Sequence, residues 1–384
     1  MKRFISCFVV LFLLFNSFVV SAFAIQNPLA VPNNKVGIHI LFPSELSAAA
    51  ALVNSNGGKW GYVIIPIQSG DKDLVKWQNF MNDAARLHVI PIIRLATEGD
   101  YFNTKVWRKP TMADVLDFAN FLNSLTWPTK NRYIVVYNEV NRGDEWGGKP
   151  SPSEYDAILS YAVDIFKQRS NDFFIISAGM DNGAATTSTS MNEYDFYRAM
   201  QADDPGIFDK IDGIASHAYP NPAFSTPPNV IARNSITSFL YEKNLIETFA
   251  AKNLPVFITE TGWSQDTVGQ TTAAAYLSLA FQTTWNTNDV VAVTPFLLQA
   301  GAGPFAQFSF LNSNGSPNAV YQALYDLPKT KGQPVVNPPT NVLAASTKNL
   351  LPTEAFATAK VNKPFTSNFM KDFTSIVKWL LHVR

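Results

Sequence analysis

The chain has 384 residues, 47% of them hydrophobic and 13% aromatic, with 30 basic and 30 acidic side chains in balance. That length and apolar content suit one large globular domain or two small ones and exclude a disordered chain. Zero formal charge supplies no basic face for nucleic acid and no acidic tail, so no nucleic-acid partner is expected.

Lys2 and Arg3 precede an apolar stretch over residues 4–20 and then Ala22-Phe23-Ala24, a small-x-small cleavage pattern. Residues 1–24 read as a secretory signal, which places the protein outside the cell or at its surface. The stretch is only just long enough to cross a bilayer, so an uncleaved N-terminal anchor is the alternative. The single cysteine, Cys7, falls inside this segment. The mature chain therefore has no disulfide, no thiolate nucleophile and no cysteine metal site.

Beyond residue 24, short runs rich in Val, Ile and Phe alternate with longer amphipathic segments. Strands are predicted at 36–40, 61–67, 89–95, 132–140, 173–180, 211–217, 255–259 and 290–298. Their apolar runs are continuous rather than alternating, as in strands covered on both faces. Helices are predicted at 43–53, 71–87, 191–200, 235–251, 271–284 and 317–325. Two more begin at Thr111, with Asp114 three residues on, and at Ser151-Pro152-Ser153-Glu154, a capping box with proline at the first helical position.

Eight strands alternating with about eight helices over residues 25–328 predict an α/β fold, the (β/α)₈ barrel. An open doubly wound sheet is the rival, weakened by the lack of a Gly-rich phosphate loop after the early strands. Residues 329–347, with Pro334, Pro338 and Pro339, read as an extended linker. The tail, residues 348–384, carries an apolar stripe of Phe369, Met370, Phe373, Ile376, Val377, Leu380 and Leu381. That helix is expected to dock on the barrel or a partner, or to lie on a membrane surface with Lys371, Lys378 and Arg384.

In such barrels chemistry sits where strands end and βα-loops begin, and the polar residues follow that rule. His39 lies on the first strand, and Arg94 ends the third, followed by Glu98 and Asp100. Asn138-Glu139 ends the fourth and Asp181-Asn182 the fifth. His217 and Tyr219 end the sixth, Glu260 and Trp263 the seventh, and Gln299 closes the eighth. Asp181-Asn182-Gly183 also has the residue types of a plain turn. Glutamates at the ends of strands four and seven stand across the barrel mouth from each other. Carboxyls about 5 Å apart suit retaining glycoside hydrolysis, whereas about 6.5–9.5 Å leaves room for a water and predicts inversion.

Asn138-Glu139 with Glu260 in Glu260-Thr261-Gly262-Trp263 resembles the signature of glycoside hydrolase clan A, retaining β-glycosidases on a (β/α)₈ barrel such as families 5 and 39. The resemblance covers about residues 35–328. It implies Glu139 as acid/base, with a raised pKa so that it arrives protonated, and Glu260 as nucleophile. It also implies Asn138 on the sugar 2-hydroxyl, and His217 and Tyr219 as the strand-six pair, with Tyr219 donating to Glu260. Arg94 is expected to support the ionised nucleophile or to be a structural ion pair, and His39 to line the cleft or fill the barrel. Where clan members place a strand-eight tryptophan, this chain has Thr294-Pro295-Phe296-Leu297-Leu298-Gln299, so either Phe296 or a loop aromatic takes the subsite floor or the subsite is unusual.

Trp107, Trp146 and Trp263 follow strands three, four and seven and are candidate sugar platforms, with Tyr101, Tyr137 and Phe305 in support. Four scattered histidines without H-E-x-x-H spacing predict no metal, and no cofactor is expected. The expected partner is a β-linked glycan; wall β-glucans and β-mannans are natural first trials. Transglycosylation at the same site, an inactive carbohydrate-binding barrel and inverting hydrolysis stay open as alternatives.

Overall fold

The computed structural model describes residues 25–97, 105–301 and 303–338. Residues 1–24, read as an export signal, together with Glu98, Asp100, Tyr101 and the C-terminal apolar stripe lie outside the described residues.

The eight strands are β1 (Gly37–His39), β2 (Gly61–Gln68), β3 (Val89–Ala96), β4 (Arg132–Val135), β5 (Phe173–Ile176), β6 (Ile214–His217), β7 (Val256–Glu260) and β8 (Val290–Val293). All pair in parallel, β1 to β5 in one ladder and β6 to β8 in another. Single parallel bridges, Ile176 with Gly213 and Val36 with Val293, join the two ladders at both seams. The sheet thus returns on itself as a barrel. Around it lie α1 (Leu46–Val53), α2 (Leu74–Leu87), α3 (Met112–Ser124), α4 (Pro152–Arg169), α5 (Glu193–Asp203) and α6 (Ile207–Lys210). α7 (Ser238–Glu247), α8 (Gln265–Val268), α9 (Gln270–Gln282) and α10 (Ala319–Asp326) complete the ring.

Side-chain alternation explains the continuous apolar strands. Tyr62, Ile64, Ile90, Ile92, Tyr133 and Phe174 fill the barrel interior, while Val63, Ile65, Ile93, Ile134 and Ile175 pack against the helices. Tyr133 meets Phe174 and Phe257 with ring centroids 5.0 and 5.4 Å apart, closing the interior to solvent. Filling both faces with branched and aromatic residues is the arrangement in which a parallel sheet is stable.

Several boundaries differ from the sequence reading, each for a local reason. The second helix begins at Leu74 rather than 71 because the Asp73 carboxylate caps the amides of Val75 and Lys76. The fourth strand stops at Val135, since Tyr137 and Glu139 adopt left-handed backbone (φ 70° and 30°) that leaves the sheet. The Thr111–Asp114 capping box forms. Ser151 makes no side-chain cap bond to the helix, and Glu154 instead meets Lys109 at 2.5 Å.

Residues 329–338 are extended, but they are bonded beneath the barrel. Lys331 bridges Lys59, Val336 bridges Thr129, and the amides of Lys130 and Gln333 donate to Val335 and Pro32, each at 2.8 Å. With residues 25–34 they close the strand N-terminal end, leaving the opposite end for chemistry.

Candidate active site

At the loop end, side chains turn inward from five strands or their following loops. Arg94 continues the inward row of Ile90 and Ile92 on β3, and His217 continues that of Ala215 on β6. On β7 the inward phase belongs to Phe257, so Glu260 is one residue out of step. A register shift between Ser216 and His217 pairs His217 with Glu260 and re-aims the glutamate.

Glu139 sits four residues past β4. Left-handed backbone at Tyr137 and Glu139 brackets Asn138, and the Glu139 amide donates to the Gly179 carbonyl at 3.0 Å. Non-glycine residues held there cost about 1–3 kcal/mol each and concentrate at functional sites. Oε1 lies 3.0 Å from His217 Nδ1, and Oε2 accepts from Arg142 Nη1 at 3.2 Å. Burial pushes Glu139 up, yet the His217 bond and the Arg142 and His217 charges outweigh it and hold the carboxyl below its usual range. His217 moves the other way: burial lowers it, but Glu260 and Glu139 raise it overall. Together the two shifts favour an imidazolium beside a carboxylate.

Glu260 is buried more deeply. Arg94 Nη1 donates to its Oε1 at 2.5 Å and to Asn138 Oδ1 at 2.6 Å, so one guanidinium ties the two strand ends together. Tyr219 donates its hydroxyl to Oε2 at 3.1 Å. Burial and the Glu260 and Glu139 charges keep the phenol far above its ordinary range, so it stays a donor. His39 Nε2 stands 3.6 Å from Oε1. Burial, then Arg94 and His217, hold that imidazole well below its usual value, and therefore neutral.

An oxygen of Glu139, an oxygen of Glu260 and a His217 nitrogen lie within 4.8 Å of one another. Both carboxylates can reach one atom placed between them. The same three groups could in principle hold a cation, but each carboxylate already faces a guanidinium, which competes for its oxygens and repels a metal.

The structure bears on four sequence expectations. The Glu139 carboxyl is shifted down rather than up, because His217 and Arg142 favour its charged form. His39 is fully buried, edge-on to Phe296 with centroids 5.0 Å apart, so it fills the barrel beside Glu260 instead of lining the cleft. His217 is also buried, and it meets Glu139 rather than open cleft. Trp146 and Trp263 offer no face to a sugar. Trp146 is wedged between Tyr137 and Tyr155, and Trp263 packs on Tyr276 and Trp285 with its indole N–H on the Thr226 carbonyl at 2.8 Å. Trp107 is buried as well.

The aromatic wall beside Glu260 is instead phenylalanine-rich. Phe296, Phe308 and Tyr219 form one cluster with the half-buried Phe224 and Phe305. Phe296 follows β8 and sits between His39 and Phe305, with ring centroids 5.0 and 5.1 Å away. Asn138, Arg94 and Gln299 are half-buried at the mouth.

Sequence reasoning missed Arg142, Glu145 and Gly179, and it read Asn182 as a strand-end polar residue or a plain turn. Arg142 and Glu145 follow Glu139 within one loop, and proximity to the acid was the available signal. Burial, then the Glu139 charge, pushes Glu145 up to about 7. Gly179 is bare because His217 lies over it: a Cβ there would come 2.2 Å from the ring. Asn182 is more than a turn residue, donating to the Tyr219 carbonyl at 2.9 Å and so fixing the loop that carries the phenol.

No family model matches this chain, and no curated protein matches it by sequence. Solved structures do match. A family 39 glycoside hydrolase from the gut symbiont Bacteroides cellulosilyticus WH2 superposes with a TM-score of 0.54 at 18% identity, over 78% of this chain and 64% of that one. The chain thus spans less than two thirds of that hydrolase. A family 39 β-xylosidase from Caulobacter crescentus gives 0.55 at 16% identity, over 77% of this chain and 72% of that one. A family 5 (subfamily 18) variant from Bifidobacterium longum, in complex with Manβ1-4GlcNAc, gives 0.52 at 10% identity, over 77% and 78%. At such identities the likeness shows the fold. It is a (β/α)₈ barrel of the kind these glycoside hydrolases use, in line with the clan A resemblance.

Proposed function

We propose that the protein is a retaining β-glycoside hydrolase acting on a poly- or oligosaccharide. The observation that carries this is the pair Glu139 and Glu260, with an oxygen of each within 4.8 Å of the other across the barrel mouth, which puts both within reach of one anomeric centre, as double displacement needs. Glu260, oriented by Arg94 and Tyr219, attacks the anomeric carbon while Glu139 gives its proton to the departing oxygen. Glu139, now ionised, takes a proton from water, and the hydroxide oxygen displaces Glu260 to release the sugar. Asn138 stands beside both groups, where a sugar 2-hydroxyl would lie, and Phe296, Phe305 and Phe224 supply apolar surface for the pyranose faces. The disaccharide held by the family 5 neighbour supports a glycan as the ligand class.

Because His217 and Arg142 hold Glu139 below its usual range, the donor is protonated only toward acid. The value of kcat/KM on substrates with poor leaving groups is therefore expected to rise as pH falls through the titration of the Glu139–His217 pair.

The experiment is a hydrolysis screen on β-glucans, β-mannans and aryl β-glycosides, followed by trapping with a 2-deoxy-2-fluoro glycoside. A covalent label on Glu260, lost in Glu260→Gln, is expected. Turnover with inverted product, or a label elsewhere, would overturn the assignment. We also read residues 1–24 as an export signal; N-terminal sequencing of the mature protein should begin near Ile25.

A further inference from the structure

Arg142 lies three residues past Glu139, and its guanidinium is fully engaged. Nη1 reaches Glu139 Oε2 at 3.2 Å, while Nε and Nη2 take Asp144 Oδ1 and Oδ2 at 3.0 and 2.5 Å in a two-pronged pair. Asp181 Oδ2 stands 3.7 Å from Nη1. Such a fork fixes the plane of the guanidinium, which a lysine could not reproduce. The backbone is braced too. The Arg142 amide donates to the Glu139 carbonyl at 2.8 Å, and the Trp107 amide to the Asp144 carbonyl at 2.7 Å. The Asn141 side chain is bonded to both the amide and the carbonyl of Asp181, each at 3.0 Å.

We propose that Arg142, held by Asp144 and Asp181, is a positioning residue that fixes Glu139 by its Oε2 and stabilises the carboxylate each time it gives up its proton. This rests on the reading of Glu139 as acid/base. Each Glu139 oxygen then has one donor, His217 Nδ1 on Oε1 and Arg142 on Oε2. Arginine keeps its protons at all working pH values, so it cannot itself supply the proton Glu139 transfers. What it changes is the balance between the two half-reactions. It favours the charged product of the first proton transfer and the base form needed for water attack, and it disfavours the protonated donor at neutral pH.

Other charges also face Glu139. His217 comes from β6, Arg94 from β3, Glu260 from β7 and Asp181 from the loop after β5, with Asp144 and Glu145 on its own loop. A test must therefore isolate the Arg142 contribution. Arg142→Gln, Arg142→Lys and Asp144→Asn would be compared with the unaltered chain by ¹³C NMR titration of the Glu139 carboxyl, assigned by its loss in Glu139→Gln. Arg142→Gln is expected to move the Glu139 midpoint upward, and Asp144→Asn to move it less. An unmoved midpoint in folded Arg142→Gln overturns the proposal whether or not a substrate is in hand.

With aryl β-glycosides the rates divide. For good leaving groups, which need no protonation, kcat/KM should stay within about twofold, while the water step falls about tenfold, the scale of one charge-assisted hydrogen bond. The basic limb for poor leaving groups should move to higher pH. Equal losses for every substrate, with Arg142→Lys no better than Arg142→Gln, would make Arg142 a merely structural loop residue. Failure of the glycosidase reading looks different: the NMR shift persists while Glu139→Gln and the unaltered chain show the same activity.

Discussion

Two pairs of buried glutamates interact within this barrel, in opposite electrostatic settings. Glu139 and Glu260 each touch a guanidinium, and His217 and Tyr219 supply further donors. Glu193 on α5 and Glu242 on α7 lie on the outer side of β6, with no cation in contact among the described residues. Glu242 accepts from Ser216 Oγ at 2.9 Å, and Tyr194 and Ser238 favour the charged forms of Glu193 and Glu242, but not by enough to offset burial. Burial, reinforced by Glu242, lifts Glu193 well above its usual range, and burial lifts Glu242 to about 7. The same side chain under similar burial is held as a carboxylate at Glu139 and as an acid at Glu193. What differs is a cation within reach. Ser216 and His217 are adjacent on β6, so strand alternation sends one toward each pair.

That contrast can be broken most sharply at the paired site. Under the proposed reaction Glu260→Gln removes the nucleophile, and kcat/KM should fall on the order of 10⁴-fold or more, with no covalent intermediate by mass spectrometry. Glu139→Gln keeps shape and loses the proton relay. We expect about a 10²–10⁴-fold loss for poor leaving groups and a much smaller one for dinitrophenyl glycosides; equal losses for both would argue against a proton donor. Gly179→Ala acts indirectly. Its Cβ would press on the His217 ring, 2.2 Å away, and move Nδ1 off Glu139, for about a hundredfold loss, the scale of a one-ångström misplacement. A variant structure with His217 unmoved would sink that account.

The barrel was legible because periodicity and apolar runs report burial: all eight strands start inside the runs read from the sequence, and β2, β3 and β7 end one residue past them. Strand ends were legible less well. Nothing in Tyr137-Asn138-Glu139 announces left-handed backbone, and the strand predicted to 140 ends at Val135. The acids Glu139 and Glu260 stood out because a charge after an apolar run needs a reason. Trp146 and Trp263 misled because an indole is as fit for a core as for a sugar platform, and only packing decides. Arg142 was invisible for a related reason: an exposed helical or loop arginine and one clamped by two aspartates look alike until Asp181 is brought 3.7 Å from it. Direction of pKa was the hardest to read, since burial and neighbouring charge oppose each other at Glu139.

The carboxyls of the second pair are tested by stability rather than rate, and the sign follows from proton binding. Below about 4.5, the ordinary glutamate value, folded and unfolded chains both carry the Glu242 proton; between there and about 7 only the folded chain does. The unfolded state therefore binds fewer protons across this window, and stability falls as pH rises through it, then levels. Glu242→Gln keeps an acceptor for Ser216 and removes the titration. Its melting temperature should match that of the unaltered chain near pH 4 and exceed it at pH 8, by on the order of 2 °C for each kcal/mol recovered. Glu193→Gln should also stabilise at pH 8, but because Glu193 is raised well above its usual value, its advantage should keep growing past the pH where that of Glu242→Gln has levelled. Parallel melting curves for all three proteins between pH 4 and 8 would mean that the second pair is ionised after all, and that burial without a cation is not what separates it from Glu139.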